Sequence, residues 1–144
     1  MKPFENLSQQ EKDAMLKYPC YISLLAANKN GEIDEREKKE AIKFSHIKTY
    51  SCNPLLSKFY AEADKVFQAN IEQLDNELPN GKDERETAIK NELEKIEKIL
   101  LKLDKDYAST MRHSMKSFKD HVSKAHHNVL EYLIFPVVLN KIRD

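Results

Sequence analysis

Glycine is nearly missing from this chain: its 144 residues hold two, beside five prolines. Sandwiches and barrels need turn residues every few positions, so both architectures are excluded, as are collagen and flexible linkers. Alternating apolar runs joined by Gly-containing hairpins are absent as well, and no β pattern competes with a helical one. Only two cysteines occur, Cys20 and Cys52, without CxxC or zinc-ligand spacing; two thiols in a core of this size fit a reducing compartment, so a cytoplasmic location is expected, with a disulfide between them as the second reading. Charge of one sign is lacking too: 24 Lys and Arg balance 24 Asp and Glu, which leaves no bulk attraction for nucleic acid. Long apolar runs are missing. The N-terminal Met1–Asn6 has no apolar stretch behind it, and the longest such stretch, Tyr132–Leu139, contains Pro136; a spanning helix needs roughly 20 residues. There is no Gly-rich phosphate loop, GxSxG, HExxH or paired Cys/His arrangement, so the chain is expected not to be an enzyme.

What is present is helix signal. With 40% hydrophobic and 33% charged residues, residues 1–144 fit one all-helical domain able to bury a core without disulfides. Ser8-Gln9-Gln10-Glu11 is a capping box that starts a helix. Pro19 interrupts it, as a kink or as the opening of a second helix. Asn28-Lys29-Asn30-Gly31 reads as a turn, and Asp34 with Glu37 restarts a helix whose Ala41, Phe44, Ile47 and Lys48 share a face. Asn53-Pro54 caps and opens the next. There Leu55, Phe59, Ala63, Val66 and Asn70, flanked by Leu56, Tyr60, Phe67, Ile71 and Leu74, form a wide apolar stripe, which Pro79-Asn80-Gly81 ends.

Asp83-Glu84-Arg85-Glu86 then caps a long helix. Ile89, Leu93, Ile96, Leu100, Leu103 and Tyr107 follow as a heptad seam, expected to bury itself against the 55–78 helix or another chain. No Gly or Pro occurs from Lys82 to Phe135, and a single helix of that length would be about 80 Å long. Breaks are therefore expected near Tyr107–Thr110, with Ser109 or Thr110 as cap, and near His126–Asn128.

The two glycines sit in matching contexts. Asn30-Gly31 precedes Asp34-Glu35-Arg36-Glu37 and Ala41-Ile42-Lys43, while Asn80-Gly81 precedes Asp83-Glu84-Arg85-Glu86 and Ala88-Ile89-Lys90. Duplication explains this, and so does convergence, since any helix after a tight turn favours a Gly, an Asp cap and an acidic first turn. In the first copy, placing Gly31 at the sixth position of an EF-hand loop puts Asn28 and Asn30 at three and five, Asp34 at nine and Glu37 at twelve. Position one is then Ala26, which offers no side-chain oxygen, so an EF-hand proper is ruled against. Two readings remain: a capped turn, or a weak calcium or magnesium site formed by Asn28, Asn30, Glu32, Asp34 and Glu37.

The segment Leu24-Leu25-Ala26-Ala27-Asn28-Lys29-Asn30-Gly31-Glu32-Ile33-Asp34-Glu35-Arg36-Glu37 resembles the tellurite-resistance TerB-like family, and the stretch from Leu103-Asp104-Lys105-Asp106-Tyr107 to Lys124-Ala125 looks like its C-terminal half. The chain departs from the family pattern at Asn30, where Asp is usual, and at His126-His127-Asn128, where a Gly-rich segment is usual. The resemblance implies a compact bundle of about six to seven helices, a link to tellurite or metal-ion stress, and divalent-cation binding by the acidic loop.

No two of His46, His113, His121, His126 and His127 have the three- or four-residue spacing of a metal pair on one helix. Arg112, Lys116, Lys119 and Lys124, with His113 and His121, form a mildly basic strip suited to a solvated face, an acidic partner or peripheral membrane contact. Met111 and Met115 continue the seam as core residues. The expected function is that of a non-enzymatic, stress-associated accessory protein acting through protein interaction or self-association, with weak divalent-cation binding. The alternative is a helical scaffold or regulatory subunit that docks a partner through its heptad seam.

Overall fold

The computed structural model describes residues 2–28 and 33–122. Among them the structure is helical, with no strand. It contains α1 (Gln9–Leu16), α2 (Tyr18–Ala26), α3 (Glu35–Ser51), α4 (Ser57–Glu77), α5 (Lys82–Leu100) and α6 (Lys105–Val122), with 3-10 turns at Lys2–Phe4 and Pro54–Leu56. The expected break near His126–Asn128 and the apolar 130–139 segment lie outside the described residues.

The local signals act as the physics requires. Ser8 Oγ accepts from the Glu11 amide at 3.1 Å, and the Ser8 amide donates to Glu11 Oε1 at 2.9 Å. Pro19 has no amide hydrogen to continue the ladder of α1, so the two helices join end to end at Lys17 and count as one broken rod. Asn53 Oδ1 accepts from the Leu55 amide at 2.9 Å, with Pro54 opening the turn that leads into α4.

Every residue of α2 is buried. It lies against α4, α5 and α6 and forms the axis of the molecule. A helix apolar on all sides needs this environment. Two of its polar side chains are satisfied by backbone carbonyls there: Ser23 Oγ donates to the Pro19 carbonyl at 2.8 Å, and Cys20 Sγ to the Phe67 carbonyl at 3.7 Å. Around it, α4 buries Phe59, Tyr60, Ala63, Phe67, Ile71 and Leu74, and α6 buries Tyr107, Met111, Met115 and Phe118. Phe118 meets Phe44 edge-on at 4.9 Å between ring centroids and stacks near Tyr60 at 6.0 Å.

Three expectations need correction. The seam is buried at Ile89, Ile96, Leu100, Leu103 and Tyr107, but α5 lies against α1 and α2 rather than against α4. It is consumed within the chain and is not a free docking edge. The break falls at Leu101–Asp104, not at Tyr107–Thr110. Asp104 Oδ2 accepts from the Tyr107 amide at 3.1 Å as the cap of α6, while Thr110 sits inside that helix and donates to the Asp106 carbonyl at 2.8 Å. Asp83 is not the cap of α5. Gly81 is, in ordinary extended backbone, and the Glu84 carboxylate folds over it where a Cβ would stand.

These placements set the energetics of the seam. Leu100 is 1% exposed and Leu101 is 78% exposed. Leu100→Ala should cost about 2–5 kcal/mol, Leu101→Ala under about 0.5 kcal/mol, and the half-buried Leu93→Ala a value between them, read from urea unfolding midpoints. Equal effects at 100 and 101 would contradict the assigned face of α5.

Candidate functional site

The two Asp-Glu-Arg-Glu turns lie at the same end of the molecule. Asn28 Nδ2, after α2, donates to the Lys82 carbonyl at the start of α5 at 3.0 Å. Between them stands Asp75, near the end of α4. Its carboxylate takes Lys38 Nζ of α3 at 3.1 Å on one oxygen and the Arg85 guanidinium on the other. Arg85 is 1% exposed. It also donates to the Asp75 and Pro79 carbonyls, both at 3.3 Å, and so satisfies backbone acceptors that the end of α4 leaves open. Burial alone would push the Lys38 ammonium down, but the hydrogen bond and charge of Asp75 hold it above its ordinary value.

This arrangement is a structural lock. Of the residues expected to bind a cation, Asn30 and Glu32 lie outside the described residues. Asp34 and Glu37 form a reciprocal capping box: Asp34 Oδ1 accepts from the Glu37 amide at 2.7 Å, and Glu37 Oε1 accepts from the Asp34 amide at 3.1 Å. Asn28 Oδ1 is buried and accepts no hydrogen bond from the described residues. No group of three or more His, Cys, Asp or Glu that could hold a metal occurs among the described residues. The repeat is matched in sequence but not in role, because Arg36 is exposed where Arg85 is buried.

The expected basic strip is not a continuous surface either. Arg112 pairs bidentately with Glu97, Nε donating to Oε1 and Nη2 to Oε2, both at 3.0 Å. Lys119 is fully buried and paired with Asp120. His121 stacks on Phe44 at 4.2 Å and bonds Glu40 Oε2 at 3.2 Å. Lys124 lies outside the described residues.

A second locus, at the corner where α3 turns through Pro54–Leu56 into α4, was not anticipated. Asp64 Oδ1 accepts from Ser45 at 3.0 Å, and its Oδ2 pairs with His46 Nδ1 at 3.1 Å. The carboxylate stands between serine and histidine, so the histidine does not reach the serine hydroxyl as a catalytic base must. Lys48 reaches back over the Phe44 and Tyr60 rings at 5.6 and 5.7 Å, and burial pushes its ammonium below the ordinary value. Outward from the same corner, Ile47 is 40%, Tyr50 82% and Leu55 50% exposed. The sequence pattern places Ile47 and Leu55 on apolar stripes, and the structure leaves both at least partly exposed. The usable signal was the lack of any carboxylate from Ala41 to Ala61 in a chain so rich in them.

No protein family, curated protein or solved structure matches the chain. Among the described residues, no helix is long and apolar enough to cross a membrane.

The lock makes a sharp comparison between the two turns. Asp75→Ala leaves the buried Arg85 without its counter-charge and should destabilise by about 3–5 kcal/mol. Arg36→Ala, at the matching position of the first turn, should change stability by no more than about 0.5 kcal/mol. Thermal or urea unfolding decides it; a small loss at Asp75 would mean that the lock does not hold the helix ends together.

Proposed function

We propose that this protein is a non-enzymatic accessory module that works by holding a protein partner. One observation carries the reading: Ile47 and Tyr50, one turn apart on α3, and Leu55 just beyond the corner are exposed, while the charged groups that could do chemistry are tied into caps and locks. Tyrosine is a preferred anchor in binding hot spots, because it brings a large apolar area with little rotamer freedom to lose. The carboxylates of Asp34, Glu37, Asp64 and Asp75 each hold a helix end or join two helices. Tyr60, the buried tyrosine nearest the corner, spends its hydroxyl on Ser114.

The resemblance of residues 24–37 to TerB-like proteins supplies the stress-associated setting of this reading. The acidic turn enters it as a capped helix start. The heptad seam, being buried, leaves the corner as the surface through which a scaffold or accessory role would act.

The test is a photo-crosslinking residue placed at Tyr50 in cells that make the protein. A discrete adduct is expected there and not from the same residue at Lys65, whose side chain is 69% exposed on α4. Absence of an adduct at 50, or identical adducts at both positions, would contradict an interaction role for this corner.

A further inference from the structure

On α3, Lys43, Ile47 and Tyr50 fall at i, i+4 and i+7 and so share one face, with His46 beside them. Across the corner, Leu55 and Lys58 stand three residues apart, at the opening of α4. Lys43 and Lys58 are exposed, and the His46 side chain is 64% exposed. The nearest carboxylates along the chain are all engaged: Glu40 with His121, Glu62 with Lys65, and Asp64 with His46 and Ser45. The corner thus exposes Ile47, Tyr50 and Leu55 on the same two elements as the exposed Lys43 and Lys58, in a stretch, 41–61, that carries no carboxylate, on a molecule whose formal net charge is zero.

We infer that the corner formed by Lys43, Ile47, Tyr50, Leu55 and Lys58 docks an acidic, amphipathic segment of a partner protein, apolar side chains on Tyr50 and carboxylates on the lysines. The inference rests on the interaction reading above and adds the chemistry of the partner. Charge complementarity selects that partner: an apolar anchor flanked by lysines, in a stretch without carboxylates, binds and orients a segment of opposite sign. A lipid surface fits less well, since peripheral anchoring by charge draws on roughly 4–8 clustered Lys or Arg, and this corner exposes two lysines. A partner helix with apolar residues at i, i+3 and i+7 and acids on its flanks would match the stripe.

The test uses the full chain, labelled with 15N, and a synthetic amphipathic peptide bearing Leu and Phe on one helical face and Asp and Glu on its flanks. Amide shifts confined to residues 43–58 are expected on titration to about 1 mM, the weak end of specific binding. Tyr50→Ser with Leu55→Ser should weaken binding by roughly tenfold or more. Lys43→Glu with Lys58→Glu should abolish it and confer binding to the same peptide with Lys in place of its acids. All four positions are exposed, so unchanged thermal unfolding serves as the folding control. No shift with the acidic peptide overturns the inference, as does equal binding of the acidic and basic peptides. Sedimentation with vesicles of anionic phospholipid, without peptide binding, overturns it in favour of a membrane surface. A crosslinked adduct at Tyr50 alongside a silent peptide titration would leave the interaction reading standing and remove only the acidic partner.

Discussion

Nine consecutive residues, Tyr18–Ala26, have no solvent-facing side. Such a helix is not stable on its own in water, so its burial depends on α4, α5 and α6 packing around it. That single demand orders the rest. Pro19, in the first turn of α2, separates it from α1. Ser23 and Cys20 return their polar atoms to nearby backbone carbonyls, because no water reaches them. Burial also pushes the Cys20 thiol far above its ordinary value, as suits a packing residue rather than a nucleophile.

α3 stands in contrast. Of its 17 residues, Ala41 and Ser45 are the fully buried ones, and much of its attachment is polar: Lys38 to Asp75, Ser45 and His46 to Asp64, and Glu40 to His121. A helix held in this way fixes the position of its outer face without spending that face on the core. The exposed stripe through Ile47 and Tyr50 follows from the division of labour between an axial helix that supplies cohesion and a peripheral helix fastened by charge.

Legibility in the sequence followed the range of the physics. The caps at Ser8, Asp34 and Asn53 were readable because each acts within three residues. The α4 stripe was readable from Phe59 to Leu74 because 3.6-residue periodicity is local, though Leu55, which the same spacing includes, faces outward. The break after Leu100 was not, because the four-three spacing runs on through Leu103 and Tyr107 while the chain turns beneath it; Asp104, with the Tyr107 amide three residues on, was the overlooked sign. Arg85 could not be told from Arg36, since the same tetrapeptide surrounds both and only the approach of Asp75 distinguishes them. The partner of α5 was hidden for the same reason: a seam specifies that it will be buried, not against which helix. At the corner, single apolar positions such as Tyr50 become informative only once the fold shows them pointing outward.

Native-state hydrogen exchange, followed amide by amide with rising denaturant, tests the central claim most directly. If the axial helix organises the fold, the amides within residues 20–26 should exchange only through global unfolding, with the full unfolding free energy, while those in residues 42–51 of α3 open at lower free energy. Exchange from α2 through a local opening cheaper than that of α3 would contradict it.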